Sequence, residues 1–220
     1  LEIAVGYVEA VGVHCVTLDG ERLWRNPVAE SVLGLGVSEP DRRGRRRLLA
    51  TDGLIVPIDA DGNDLPPIGA ADAFLRTIFT ADLDGDRNAE WCAIALQWQG
   101  EGALGSNLAL GLSPRGEEFW RHELAEGEHQ HSAFESVAAG DLLGSGVGQW
   151  IIAGADGSIH LVAIDGSLID QFNYGAAPSG MAVAQLDGRP TLLIATDQAV
   201  EAWQFEPLQQ DDETDATEPR

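Results

Sequence analysis

The chain has 220 residues, is 44% hydrophobic and carries a formal charge of −23, with arginine supplying all 13 of its basic residues. That length allows one large domain or two small ones, and the apolar share is ample for a buried core. The acidity excludes a general nucleic-acid binder, whose phosphate affinity rests on basic surface, and no apolar run approaches the roughly 18 residues a membrane helix needs.

Glycine is frequent, at 26 residues, and no stretch keeps an apolar i, i+3, i+4, i+7 pattern over three turns. Short apolar runs broken by Gly, Asp, Asn and Pro dominate instead, which predicts an all-β fold. In chain order, "LEIAVGYV" (1–8) reads as a strand, and "VGVHCVTLDGERLWRN" (11–26) as two strands about Gly20. A second unit runs "SVLGLGVS" (31–38), "RRLLATD" (46–52) and "GLIVPIDADGNDLPPI" (53–68), turning at Gly62. A third runs "RTIFTADL" (76–83), "EWCAIALQW" (90–98) and "NLALGLSPRGEEFWRH" (107–122), turning at Gly116. A fourth runs "ESVAAGDL" (135–142), "QWIIAGAD" (149–156) and "SIHLVAIDGSLIDQF" (158–172), turning at Gly166. The last holds "GMAVAQLD" (180–187), "TLLIATD" (191–197) and "VEAWQFE" (200–206), with no convincing fourth strand. Residues 208–220, "LQQDDETDATEPR", lack an apolar period and read as a disordered acidic tail after a repeat domain spanning 1–207.

A period of about 40 to 50 residues with four short strands, a to d, in each is the signature of β-propeller blades. The a strands are rich in Gly, Ala and Ser, as the crowded axis of a propeller requires. The reading is therefore an all-β propeller of about five four-stranded blades, three complete and two partial. The first unit has b, c and d but no a, and the last has a, b and c. The two ends supply six strands and do not complement each other within one four-stranded blade. The expectation is a C-terminal portion of a larger propeller, or a processed piece of one. A five-bladed ring with two three-stranded blades is the alternative.

The turn-centred pattern resembles the PQQ-type repeat of quinoprotein-like propellers. "GADGSIHLVAIDGSLI" (154–169) matches it most fully, while "VTLDGERLWRN" (16–26) and "SPRGEEFWRH" (113–122) carry its terminal tryptophan as Trp24 and Trp120. "ADLDGDRNAEW" (81–91) is instead similar to the calcium loop of FG-GAP and VCBS-type propellers. The enzymes built on the PQQ-type repeat also carry a vicinal cysteine pair against the cofactor. Cys15 and Cys92 are the two cysteines here, far apart in sequence, so no cofactor role is carried over. Each cysteine sits in an apolar run, which predicts two buried thiols rather than a disulfide framework. The compartment stays open, with the periplasm or cell surface as one reading.

Asp82, Asp84, Asp86, Asn88 and Glu90 fall on alternate positions of one loop, with Gly85 permitting the close turn. Such oxygens can converge on a hard cation, so calcium in a structural role is the cofactor expectation. Arg87 and Ala93 stand where an EF-hand needs Gly and Glu, so the loop is not of that type. The plainer reading is an Asx-rich turn held by side-chain-to-backbone bonds. The equivalent loop of the fourth unit keeps Asp141 but has Leu143, Ser145, Val147 and Gln149 in place of the other four.

Three further features invite function. Arg42, Arg43, Arg45, Arg46 and Arg47 form an anion-seeking or acid-docking run, or else a solvated loop. His129 and His131, with His122 upstream, could share a metal only if strand geometry held them, whereas His14 and His160 read as ordinary strand histidines. Trp24, Trp91, Trp98, Trp120, Trp150 and Trp203 recur near strand ends, as packing between blades or as a stacking platform. No nucleophile–His–acid set has a local signature, and no G-x-x-x-x-G-K phosphate loop occurs. The function expected is thus a non-catalytic propeller that mediates protein–protein interaction, with a protein partner and one structural calcium loop. The alternatives are the C-terminal portion of a PQQ-dependent oxidoreductase and a carbohydrate- or ligand-binding propeller.

Overall fold

In a computed structural model of the chain, which describes residues 1–9, 11–27, 31–40, 43–70, 72–99, 104–125, 137–176 and 178–205, every regular element is a strand. The expected acidic tail and the His129/His131 pair lie outside the described residues. The first sheet holds β1 (Glu2–Tyr7), β2 (Gly12–Thr17) and β3 (Arg22–Asn26). The second holds β4 (Gly34–Val37), β5 (Leu48–Thr51) and β6 (Ile55–Ile58). The third holds β7 (Ala73–Ala81), β8 (Glu90–Trp98), β9 (Leu104–Leu112) and β10 (Glu118–Leu124). The fourth holds β11 (Val137–Gly140), β12 (Gln149–Ala153), β13 (Ser158–Val162) and β14 (Leu168–Asn173). The fifth holds β15 (Gly180–Leu186), β16 (Arg189–Ala195) and β17 (Val200–Trp203). Each sheet is an antiparallel meander in chain order, so sheets coincide with the sequence repeats.

The second sheet keeps its fourth strand only as two bridges, Ile55 to Ile68 and Ile58 to Asp64. Between them stand Pro66 and Pro67, which have no amide proton to give a ladder. The first strands of successive sheets pack together: β4 on β7, β7 beside β11, and β11 on β15. Small residues permit this approach. A Cβ on Gly34 would lie 3.0 Å from the Thr77 backbone, and one on Gly36 would lie 3.0 Å from Ile78.

Four apolar layers lie between neighbouring sheets. Leu49 and Ile55 meet Leu75, Ile78 and Leu110 between the second and third. Cys92, Ile94 and Trp120 meet Trp150, Ile152 and Val162 between the third and fourth. Strand alternation makes this possible: Trp91, Ala93 and Ala95 of β8 face one layer while Cys92 and Ile94 face the next. A sheet buried on both faces reads as a continuous apolar run, which is why "WCAIAL" does not alternate.

The recurrent turn glycine and the recurrent tryptophan are two halves of one joint. Gly62, Gly116 and Gly166 all have positive φ, at 87°, 82° and 86°. Each is covered by the outer strand of the sheet before it. A Cβ on Gly62 would lie 2.7 Å from the Trp24 ring, and one on Gly166 would lie 2.3 Å from Trp120 Cβ. At Gly116 the covering residue is Ile68, whose Cγ2 would be 2.4 Å away. Side-chain bonds tie the same seams: Asn26 Nδ2 donates to the Gly62 carbonyl at 2.9 Å and Trp120 Nε1 to the Ile164 carbonyl at 3.2 Å.

Candidate functional site

Because every sheet is an up-and-down meander, the a–b loops and the c–d turns emerge at the same end of the strands. Most of the chemistry singled out in the sequence collects there: the acidic loop at 82–90, the arginine run and several tryptophans.

The acidic loop brings one carboxylate oxygen from each of Asp82, Asp84 and Asp86 within 4.8 Å of one another, all exposed. The loop is shaped by its own Asx bonds. Asp82 accepts from the amides of Gly85 (2.8 Å) and Arg87 (3.0 Å), Asp84 from the Asp86 amide (3.0 Å) and Asp86 from the Asn88 amide (2.7 Å). The Asn88 side chain donates to Asp86 Oδ2 at 2.9 Å. These bonds to Asn88 hold the Asp86 carboxyl below its ordinary pKa. Ionised carboxylates keep spare lone pairs after one or two such bonds, so the three aspartates fit a hard cation.

Glu90 stands apart from that trio. Its Oε2 accepts from the Leu83 amide at 2.7 Å, and burial, aided by the Asp84 and Asp86 charges, raises its pKa. The fourth sheet repeats the arrangement with an amide in place of the Glu90 carboxylate: the Leu142 amide donates to Gln149 Oε1 at 2.9 Å, and Asp141 accepts from Ser145 (2.9 Å) and Gly146 (2.7 Å). Leu83 and Leu142 are buried at 4% and 2% exposure. The first and ninth positions of both loops are therefore turn-builders that seat a buried leucine. Asp84 and Asp86 are what distinguish the third-sheet loop.

Among the described residues, two clefts open at this end. One of about 470 Å³ lies between the first and second sheets, floored by Ala4, Cys15, Trp24 and Leu48, with Arg45, Arg46 and Arg47 and the acids Glu2 and Asp59 around it. Arg46 Nη1 donates to the Ser38 carbonyl at 3.1 Å, which closes the base of the loop, and Arg42 lies outside the described residues. The Cys15 thiol faces Glu2 Oε2 at 3.7 Å, and its pKa is raised by burial and by that acid. The other cleft, about 310 Å³, lies beside the acidic loop and is lined by Glu39, Glu90, Trp91, Phe119, Trp120 and Trp150 among others. Trp98 and Trp203 are elsewhere: each is 40% exposed, the first edge-on to Phe74 and the second stacked on Phe172.

Sequence reading did not join His122 to His160. They face each other across the third and fourth sheets, His122 Nε2 to His160 Nδ1 at 2.9 Å. His160 Nε2 also meets Ser158 Oγ at 2.8 Å, and that hydroxyl donates to Asp156 Oδ1 at 2.5 Å. Burial lowers the pKa of both imidazoles. His14 is alone on β2, its ring 4.8 Å from that of Tyr7. Cys15 and Cys92 are free and buried.

No protein-family model matches the chain, and no curated relative matches it. Solved structures do. The β-propeller domain of Cps50 (Swd1) from Myceliophteria thermophila is similar over 96% of this chain and 64% of its own, at 13% identity and a TM-score of 0.55. BamB from Moraxella catarrhalis is similar over 92% of this chain and 56% of its own, at 16% identity and a TM-score of 0.51. BBS1N, solved in complex with ARL6DN, is similar over 92% of this chain and 60% of its own, at 10% identity and a TM-score of 0.61. The chain thus spans about three-fifths of the length of these structures. Identities this low speak to fold alone, and with the five radial sheets they establish it: the chain is a run of five β-propeller blades.

Proposed function

We propose that the chain is a protein-interaction module whose working surface is the loop end that carries the acidic loop and the two clefts. The observation that supports it best is the convergence of these features on one end of a rigid scaffold, the usual place for binding residues. A similar propeller, BBS1N, is itself solved in complex with ARL6DN. The charge of −23 favours a basic partner and fast, salt-sensitive association. Photo-crosslinking from position 119, where Phe119 is 71% exposed, should trap a discrete protein whose yield falls as salt rises. Labelling at position 143, on the same end, should agree with it. Labelling that is diffuse and indifferent to salt would remove the reading.

The aspartate trio is proposed as a structural calcium site. Asp82, Asp84 and Asp86 supply the oxygens; Asn88 supports Asp86, and Glu90 seats the loop. The ion's contribution would be to neutralise three adjacent charges. A ligand that binds only the native state stabilises it by about 2.7 kcal/mol at one hundred times its dissociation constant. Millimolar calcium should therefore raise the melting temperature by several degrees in the parent and not in Asp84→Ala. An unmoved midpoint, or an equal shift in the variant, would defeat the assignment.

A further inference from the structure

We propose that the cleft beside the acidic loop receives an arginine side chain presented by a peptide segment of the protein partner, with Glu39 as its counter-charge. This deepens the interaction reading above and rests on it. Three blades build the cleft: Glu39 arrives from the loop after β4, Trp91 and Trp120 from the third sheet, and Trp150 from β12. Phe119 in its lining is 71% exposed.

Two of the residues that line it each hold a buried polar atom with no hydrogen-bond partner: Glu39 Oε2, an acceptor, and Trp91 Nε1, a donor. Buried polar atoms are nearly always paired. Orphans of opposite sense around one cleft mark hydrogen-bonding capacity that the chain's own fold leaves unused. Glu90 differs in that its Oε2 already accepts from the Leu83 amide.

The chemistry selects the ligand. A carboxylate among aromatic rings favours a cation, through charge and through the negative face of each ring. The acidic loop next door adds to the local potential. A planar guanidinium suits such walls better than a strongly hydrated ammonium, because it stacks and carries five donors. Arginine offers no acceptor for Trp91 Nε1, whereas the backbone carbonyl of a peptide does, so the ligand is a peptide rather than a free guanidine. A volume of about 310 Å³ sits at the lower end of ligand-sized clefts and accommodates one arginine residue.

The test titrates the whole chain with N-acetyl-arginine methylamide, against the citrulline analogue (a neutral isostere) and the lysine analogue. Tryptophan fluorescence and the indole N–H resonances report binding. The arginine probe should bind saturably, about tenfold more tightly than citrulline or lysine, and more weakly as salt rises. Glu39→Gln and Phe119→Ala should each weaken it about fivefold or more; the second replaces an exposed ring and leaves the fold intact. Equal binding of citrulline, equal binding of lysine, no saturable signal, or indifference to both substitutions would overturn the assignment. A crosslinked partner retained in full by Glu39→Gln would also overturn it while leaving the interaction reading standing. Absence of any discrete crosslinked partner removes that reading itself.

Discussion

Gly166→Ala should lower the melting temperature by roughly 4 to 20 °C, while Gly20→Ala should lower it by only about 2 to 8 °C. The two glycines share a turn type, with φ of 86° and 83°. An L-residue at such a φ costs about 1–2 kcal/mol on its own, and that cost is common to both variants. Their surroundings differ. A Cβ at Gly20 meets nothing within 4 Å, whereas one at Gly166 would lie 2.3 Å from Trp120 Cβ and 2.4 Å from its Cγ. Trp120 cannot retreat, because its Nε1 is bonded to the Ile164 carbonyl and it packs with Trp150 and Val162. Overpacking a filled seam adds about 1–3 kcal/mol. Thermal unfolding of the two variants side by side measures the seam itself. Equal losses would mean that the glycine is kept for its turn and that docking of the neighbouring blade contributes nothing.

That joint also shows what the sequence disclosed and what it hid. Strand positions were legible throughout, because apolar runs bounded by Gly, Asp and Pro are local features. The Gly-plus-Trp repeat was legible as a rhythm, but its meaning was not, since Trp24 covers the glycine of the following repeat, Gly62, rather than its own. The joint can then change its residue without losing its geometry, as Ile68 does over Gly116. The second blade was read as complete, whereas its outer strand is reduced to two bridges, around Pro66 and Pro67, which have no amide proton to give. The acidic loop was visible as a set of alternating oxygens. The division of labour within it was not: Gln149 looked like a lost ligand, and in the structure it performs the Glu90 task of seating a leucine amide. Contacts between blades were out of reach. Glu39 and Trp91 line one cleft from different repeats, and no periodicity predicts that meeting.

The seam between the third and fourth blades should weaken as pH falls below about 6.5, the ordinary pKa of histidine, and His160→Leu should remove much of that dependence. The hydrogen-bond senses follow from one end. Asp156 can only accept, so the Ser158 hydroxyl donates to it and must in turn accept from His160 Nε2–H. His160 Nδ1 is then a bare lone pair that accepts from His122 Nε2–H at 2.9 Å. A proton added at His160 Nδ1 would set two N–H groups against each other. Only His122, through Nδ1, can take a proton with the chain of bonds intact, and its burial opposes even that. Burial acts first on His160 too, with the His122 charge adding to it and Asp156 opposing. Both folded pKa values therefore lie below the unfolded one. The unfolded chain binds more protons in that window, so stability is complete above about pH 6.5 and declines as pH falls toward the folded values. His160→Leu leaves the Ser158 hydroxyl and His122 Nε2 short of a partner, at about 1–3 kcal/mol for each group, and its deficit should be largest near pH 7.5. Because the variant has one titrating imidazole fewer, the gap from the parent should narrow on going to pH 5. Denaturant unfolding at the two pH values measures it. A gap that stays constant or widens in acid would show that this chain of bonds does not couple blade docking to protonation.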